Sequence, residues 1–273
     1  MMMRILRITV AVATVITVAA FGYVYARERY LSDATYPVIT MATETVDVKA
    51  SATDADLLRG VSAYDEKDGD LTDKLLVESV GQFTKPGWCK VIYAVCDGDN
   101  HVVTAQRQVH YTDYRPPRFT MNAPLIFSAY GTLNIVGIIG AEDCLDGDIS
   151  QNVIIYSPDY ETGQVGSFSI QATVKNSKGD SAEIVLPMTV ERLSNNSPDI
   201  ILKDYLIYLP KGKTPDWNRF IESTADHAGI DAALEIEIET DYNARKSGVY
   251  SVDYYGTDEA GYVGHTRLLV VTE

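Results

Sequence analysis

Three observations predict an all-β chain of three tandem antiparallel β-sandwiches behind one N-terminal transmembrane helix. Residues 8–26 form a single uncharged, largely apolar run; the remainder of the 273 residues repeats with a period of about eighty; and within each period apolar and polar residues alternate between turn signals.

The first element is the apolar run ITVAVATVITVAAFGYVYA, preceded by Arg4 and Arg7 and followed by Arg27, Glu28 and Arg29. At about 1.5 Å per residue it extends about 28 Å, close to the ~30 Å hydrocarbon core of a bilayer. Arg4 and Arg7 outweigh the nearly balanced downstream flank, which predicts a cytoplasmic tail over 1–7 and an exported region after Ala26. Two readings of this segment stand. It is an uncleaved anchor over 8–26, followed by a linker over 27–36, or a signal peptide cleaved after Val24-Tyr25-Ala26, whose small residues suit a peptidase. The first places the protein in the cell membrane as a single-pass chain with its C-terminal region outside; the second secretes it.

The repeats follow in order. The strands GWCKVIYAVCD from Gly87, GSFSIQATVKN from Gly166 and GVYSVDYYGTD from Gly248 begin 79 and 82 residues apart, and Pro37, Pro117 and Pro198 mark the same frame. In the middle copy Phe168, Ile170, Ala172 and Val174 alternate with polar residues, which predicts a strand with one buried face. The matching sets are Cys89, Val91, Tyr93 and Val95 in the first copy, and Tyr250, Val252, Tyr254 and Gly256 in the third. Each strand runs into an Asp-, Asn- and Gly-rich turn at 97–100, 176–179 or 258–261, then into a second β-rich run, so each opens a hairpin. The nearest helical candidate after residue 30 is Asp216–Ser223, where Trp217, Phe220 and Ile221 have helical spacing. Short strands at these intervals predict antiparallel β-sandwiches over 37–115, 116–196 and 197–273. Short proline-containing junctions between them predict a stiff rod.

The segments GVSAYDEKDGDLTDKLLVES and GWCKVIYAVCDGDNHVVTAQRQVHY resemble the bacterial immunoglobulin-like repeat family first named from a crystal-type pesticidal toxin. The first copy carries the resemblance best, through Ala63-Tyr64-Asp65, Asp68-Gly69-Asp70-Leu71-Thr72, Gly87 and Asp97. The second keeps Ala141, Asp143, Asp146-Gly147-Asp148-Ile149-Ser150 and Gly166, while the third lacks the Asp-Gly-Asp and has Ala225-Asp226-His227-Ala228-Gly229 nearby. The resemblance implies a structural or adhesive role and brings no catalytic residues.

Charge narrows the partners. With Lys plus Arg at 23 against Asp plus Glu at 38, the formal charge of −15 argues against nucleic acid, whose phosphates need a basic surface. If the segments ending at Asp65 and Asp97 are strands B and F, their following loops share one end of the sandwich, bringing Asp65, Asp68, Asp70, Asp97 and Asp99 together. Asp143, Asp146 and Asp148 would do the same in the second copy, beside Asp113. Two readings remain open for both clusters. Converging carboxylates are bridged by a cation, for which calcium is the usual choice outside the cell, or the Asp-Gly-Asp segments are turns in which each Asp caps its own backbone.

The three cysteines predict no internal disulfide. Cys89 and Cys96 stand seven apart on one strand and Cys144 belongs to another repeat, so Cys89 is a core residue and the other two are thiols at the surface. His101, His110, His227 and His265 lack metal-ligand spacing and a nucleophile partner, and read as surface positions. Trp88 falls on the outward face of its strand with Lys90 and Ile92, which makes Trp88 and Ile92 a candidate contact patch.

The function expected is that of a non-enzymatic bacterial cell-surface protein that adheres, binds or spaces, with a protein or glycan partner and membrane contact through the N-terminal helix. The alternatives are a subunit of an envelope membrane complex and, if the N-terminus is cleaved, a secreted toxin-like or enzyme-accessory module.

Overall fold

A computed structural model describes residues 2–31, 35–131, 133–156 and 164–273. Residue 1 of the expected tail, residues 32–34 of the expected linker, and residues 132 and 157–163 of the second repeat lie outside the described residues.

Helix α1 (Met2–Leu31) is longer than the apolar run that seeds it. Its stretch Arg7–Arg27 has a mean hydropathy of 1.9 and no part of it is buried within the chain. The hydroxyls of Thr9, Thr14 and Thr17 donate to the carbonyls of Ile5, Val10 and Ala13, four residues back, so these polar groups are satisfied inside the helix.

Among the described residues twenty strands follow, in three sets of similar design. The first set is β1 (Val38–Met41), β2 (Thr45–Val48), β3 (Val61–Asp65), β4 (Gly69–Asp70), β5 (Leu76–Val80), β6 (Trp88–Cys96) and β7 (Val102–Tyr111), with the one-turn helix α2 (Asp54–Leu57) between β2 and β3. The second is β8 (Arg118–Met121), β9 (Ile126–Ser128), β10 (Ile139–Asp143), β11 (Gly147–Asp148), β12 (Ile154–Tyr156), β13 (Gly166–Lys175) and β14 (Ser181–Glu191). The third is β15 (Asp199–Leu202), β16 (Leu206–Leu209), β17 (Ile221–Ala225), β18 (Glu235–Thr240), β19 (Gly248–Thr257) and β20 (Val263–Thr272).

Each set builds one small and one larger sheet, ordered β1-β3-β4 and β2-β7-β6-β5, then β11-β10-β8 and β12-β13-β14-β9, then β15-β17 and β16-β20-β19-β18. The long hairpins β6–β7, β13–β14 and β19–β20 are the three anticipated from the period, and all are antiparallel. The early strands β9 and β16 pair parallel with the last strand of their own set. The fold is therefore all-β, three tandem immunoglobulin-like sandwiches after one N-terminal helix. The helical candidate near residue 216 is a single 3₁₀ turn, Trp217–Phe220, whose Asn218 N–H is capped by Asp216.

Alternation places the cores as expected, since strand side chains point to opposite faces in turn. Cys89, Val91, Tyr93 and Val95 are buried, as are Ile170, Ala172 and Val174, and Val252 and Tyr254; Phe168 and Tyr250, at the strand entrances, are only half-buried. Buried tyrosines need a partner for the hydroxyl. Tyr93 donates to the Leu57 carbonyl in α2, and Tyr254, its counterpart in the third set, donates to the Trp217 carbonyl of the 3₁₀ turn.

The chain divides into two compact units: residues 1–48, 52–81 and 88–110, and residues 49–51, 82–87 and 111–273. In the second unit, the hydrophobic cluster of β8, β10, β13 and β14 also takes in Leu269, with Val249 and Val271 packed against it. These three lie on the face of the β19–β20 hairpin opposite to Val252 and Tyr254, whose own cluster includes Ile200, Leu202, Phe220, Leu268 and Val270. The third sheet is thus buried on both faces over part of its area. Within the third repeat Gly264 lies directly against the Pro198 carbonyl, where there is no room for a Cβ.

Candidate functional site

The acidic loops are built twice on one plan. After β3, Asp65 Oδ1 accepts the backbone N–H groups of Lys67 (2.9 Å) and Asp68 (3.0 Å); after β10, Asp143 Oδ1 accepts those of Leu145 (2.9 Å) and Asp146 (3.1 Å). Gly69 and Gly147, with φ of 77° and 71°, supply the left-handed turn that returns the chain. Asp70 then caps Thr72, and Asp148 caps Ser150 through both N–H and hydroxyl. Those hydrogen bonds hold the carboxyls of Asp70 and Asp148 below the ordinary carboxylate value.

The hairpin loops follow another shared rule. Asp97, Asn176 and Asp258 each use Oδ1 to accept N–H groups two and four residues on, and the residue in between has positive φ: Asn100 at 70°, Gly179 at 84° and Gly261 at 83°. Asp226, in the third repeat's departure from the Asp-Gly-Asp pattern, builds the same loop around Gly229.

In the first unit the two loops meet. Asp68 Oδ2 accepts the Gly98 N–H at 2.5 Å, Lys67 pairs with Asp99 at 2.5 Å, and Asp97 Oδ2 lies 2.7 Å from His101 Nδ1. Burial of Asp97 opposes ionisation, but its bonds to His101 and Asp99 prevail and its pKa is lowered. Asp65 is buried, and its Oδ2 has no hydrogen-bond partner. The second unit builds a comparable junction from different side chains, Asn176 standing where the first copy has Asp97. The Asn176 amide donates to Asp143 Oδ2 (3.1 Å) and to the Tyr114 hydroxyl (3.0 Å), Tyr114 donates to Asp180 (2.6 Å), and Asp146 accepts from Ser177 N and Oγ. Burial, then the bond to Asp180, pushes the Tyr114 pKa upward.

The loops therefore bring Asp65, Asp68, Asp97 and Asp99 into one junction, and Asp143 and Asp146 into another, while Asp70 and Asp148 serve their own turns. Asp113 is a correction: it caps the Ala50 N–H at 2.7 Å, and Tyr114 is the residue of that segment that enters the junction. Among the described residues, no group of three or more His, Cys, Asp or Glu side chains is arranged to hold a metal ion.

Trp88 stacks on His110, its cross-strand partner, with ring centroids 4.2 Å apart, and His110 pairs with Asp47 at 2.9 Å. Ile92 lies on the same face and is exposed. Beside them a depression of ≈ 340 Å³ is lined by Met41, Thr43, Glu44, Lys90, Gln106 and Gln108, with Arg107 at its floor. None of the three cysteines is in a disulfide; Cys89 is fully buried, while Cys96 and Cys144 are half-buried, the latter between the Arg115 N–H and carbonyl.

His265 is the second correction, because its side chain is 4% exposed and lies between two carboxylates. The surface reading treated the outward face of β20 as solvated. The signal that would have found it is the uninterrupted apolar run Leu268–Val271, the mark of a strand covered on both sides.

No family model matches the chain. Curated proteins to which it is similar include an uncharacterized 81.3 kDa protein of Acholeplasma phage L2, 29% identical over 138 residues, covering 49% of this chain and 18% of that protein. Another is pesticidal crystal protein Cry22Aa of Bacillus thuringiensis, 27% identical over 241 residues, covering 84% of this chain and 32% of the relative. The chain thus spans a third or less of the length of these relatives. Similar solved structures include a Clostridium perfringens ZmpB fragment, the M60 catalytic domain with CBM51-1 and CBM51-2, at 15% identity and a TM-score of 0.24, covering 88% of this chain and 31% of that one. Drosophila N-cadherin EC1-4 aligns at 12% identity and a TM-score of 0.25, covering 89% and 76%. At these scores the structures add nothing to the fold described above.

Proposed function

We propose that this protein is a non-enzymatic binding module of a bacterial envelope, in which α1 anchors the chain in the membrane and three immunoglobulin-like repeats, over 37–115, 116–196 and 197–273, are held outside the cell to engage a protein or glycan. The observation that carries this reading is the Arg7–Arg27 stretch, long enough to span a bilayer and left uncovered by the described residues. An apolar helix left wholly exposed is stable in lipid and not in water. The similarity to part of a pesticidal crystal protein supports repeats of the same broad type.

The contact surface in this reading is the outward face of β6–β7, where the Trp88–His110 stack, Ile92, Lys90, Gln106 and Gln108 offer an aromatic platform beside amide and ammonium donors. Topology is tested by adding protease to intact cells that carry a C-terminal tag. Loss of the tag with retention of a membrane-bound N-terminal fragment is the expected result; a protected tag overturns export. Recovery of the mature chain from the medium, beginning at Arg27, would replace the anchor by a cleaved signal. Co-extraction of a stoichiometric membrane partner through α1 would favour a subunit of an envelope complex.

A further inference from the structure

Titratable groups from the second and third repeats meet around His265, whose own side chain is 4% exposed. Its Nδ1 lies 2.8 Å from Glu191 Oε1, on the last strand of the second repeat, and its Nε2 lies 2.9 Å from Asp253 Oδ1, on β19. Arg267, two residues along β20, donates through Nε to the same Asp253 oxygen (2.6 Å) and through its terminal nitrogen to Thr189 on β14 (2.9 Å). Tyr255 stacks on the ring with centroids 4.4 Å apart, and Glu239 on β18 adds negative potential at Tyr255.

A neutral imidazole has one N–H. With carboxylate oxygens at hydrogen-bond distance from both ring nitrogens, both contacts are bonds only when the ring is doubly protonated; otherwise a ring lone pair faces a carboxylate. The proton also balances the charges. Asp253 and Glu191 oppose Arg267 and the imidazolium, whereas the neutral ring leaves one negative charge uncompensated in a site that excludes most water.

We propose that His265 is a proton-operated latch, which as imidazolium ties β14 of the second repeat to the sheet of the third, and on losing its proton releases Glu191 and opens the polar end of that seam. Glu191 is the partner released because Asp253 keeps Arg267, while Glu191, 29% exposed, has water within reach. The apolar end of the seam, at Val249, Leu269 and Val271, stays closed.

The pKa directions agree with the geometry. Burial favours the neutral ring, but the bonds to Asp253 and Glu191 outweigh it and hold His265 above its ordinary 6.5. Asp253 is likewise penalised by burial and held below its ordinary value by His265 and Arg267. Because the His265 pKa is higher in the folded chain, its contribution is complete below about pH 6.5 and is lost as pH rises through the folded value. The Asp253 contribution is complete above about pH 4 and fails only as pH falls through its lowered value. The latch is therefore set in mildly acidic medium and opens on the alkaline side.

The test uses the full chain in detergent micelles with ¹⁵N-labelled histidine, the His265 signals being assigned by their loss in His265→Gln. At about pH 6.5 both ring nitrogens of His265 are expected at imidazolium shifts, with a midpoint above that pH which falls in Glu191→Gln. In parallel, thermal unfolding of the wild type and of Glu191→Gln, a change at a partly exposed site that the fold should tolerate, is compared at about pH 6 and about pH 9. The wild type is expected to unfold at a higher temperature at the lower pH, and the gap to close at the higher. A neutral His265 ring at pH 6.5, or a gap that does not depend on pH, overturns the proposal.

Discussion

Asp143 shows how one side chain holds two loops. Its Oδ1 caps the turn after β10 and its Oδ2 receives the Asn176 amide from the hairpin loop, at a site 6% exposed. Replacing it with Ala strips two N–H caps and leaves the buried Asn176 amide with the Tyr114 hydroxyl but without its carboxylate acceptor. That is expected to cost about 2–3 kcal/mol in urea unfolding, since each buried polar group left unsatisfied costs about 1–3 kcal/mol. Asp143→Asn, which keeps the Oδ1 acceptor but opposes one amide to another, should fall between the two. The same reasoning separates the two copies of the junction. Where Asn176 donates to Asp143, Asp97 has no proton to offer Asp65 and turns to His101 instead.

At the scale of elements, the proposed insertion of α1 rests on the hydropathy of Arg7–Arg27, and a charge at its centre tests that directly. Val15→Lys is expected to raise the apparent insertion free energy by about 3 kcal/mol, and carbonate extraction of membranes should then recover less of the chain in the pellet. The strands were legible in the sequence because a half-buried strand writes its burial in a period of two: the alternation in β6, β13 and β19 located three hairpins and most of the core. The loops were legible in part. The Asp and Gly spacing showed that Asp65 and Asp97 begin neighbouring turns, but not that Asp70 and Asp148 face their own Thr72 and Ser150, because local capping and long-range convergence use the same residues. His265, Asp253 and Leu269 were hidden for another reason. Their burial comes from a neighbouring repeat, which a period of two does not register; the one trace of it in the strand is the unbroken apolar run Leu268–Val271.

Across the second unit, the repeats share hydrophobic cover. Leu269 is fully buried in the cluster of Phe119, Ile170 and Met188, although its own strand belongs to the third repeat. Leu269→Ala is expected to cost about 3 kcal/mol, in the range for large-to-small changes in a core. Hydrogen exchange followed by mass spectrometry should show faster exchange in β13 and β14 as well as in β19 and β20; a loss confined to the third repeat would refute the shared cover. The parallel pairs β9–β14 and β16–β20 bear on a different property. In each, an early strand lies alongside the last strand of its own repeat and runs in the same direction. Tension applied along the polypeptide would pull the two strands of such a pair past each other lengthwise, so their hydrogen bonds share the load and must yield together rather than open one by one. A repeat joined in this way resists stretching far more than it resists peeling, which suits the proposed arrangement of a chain anchored at one end and bound at the other.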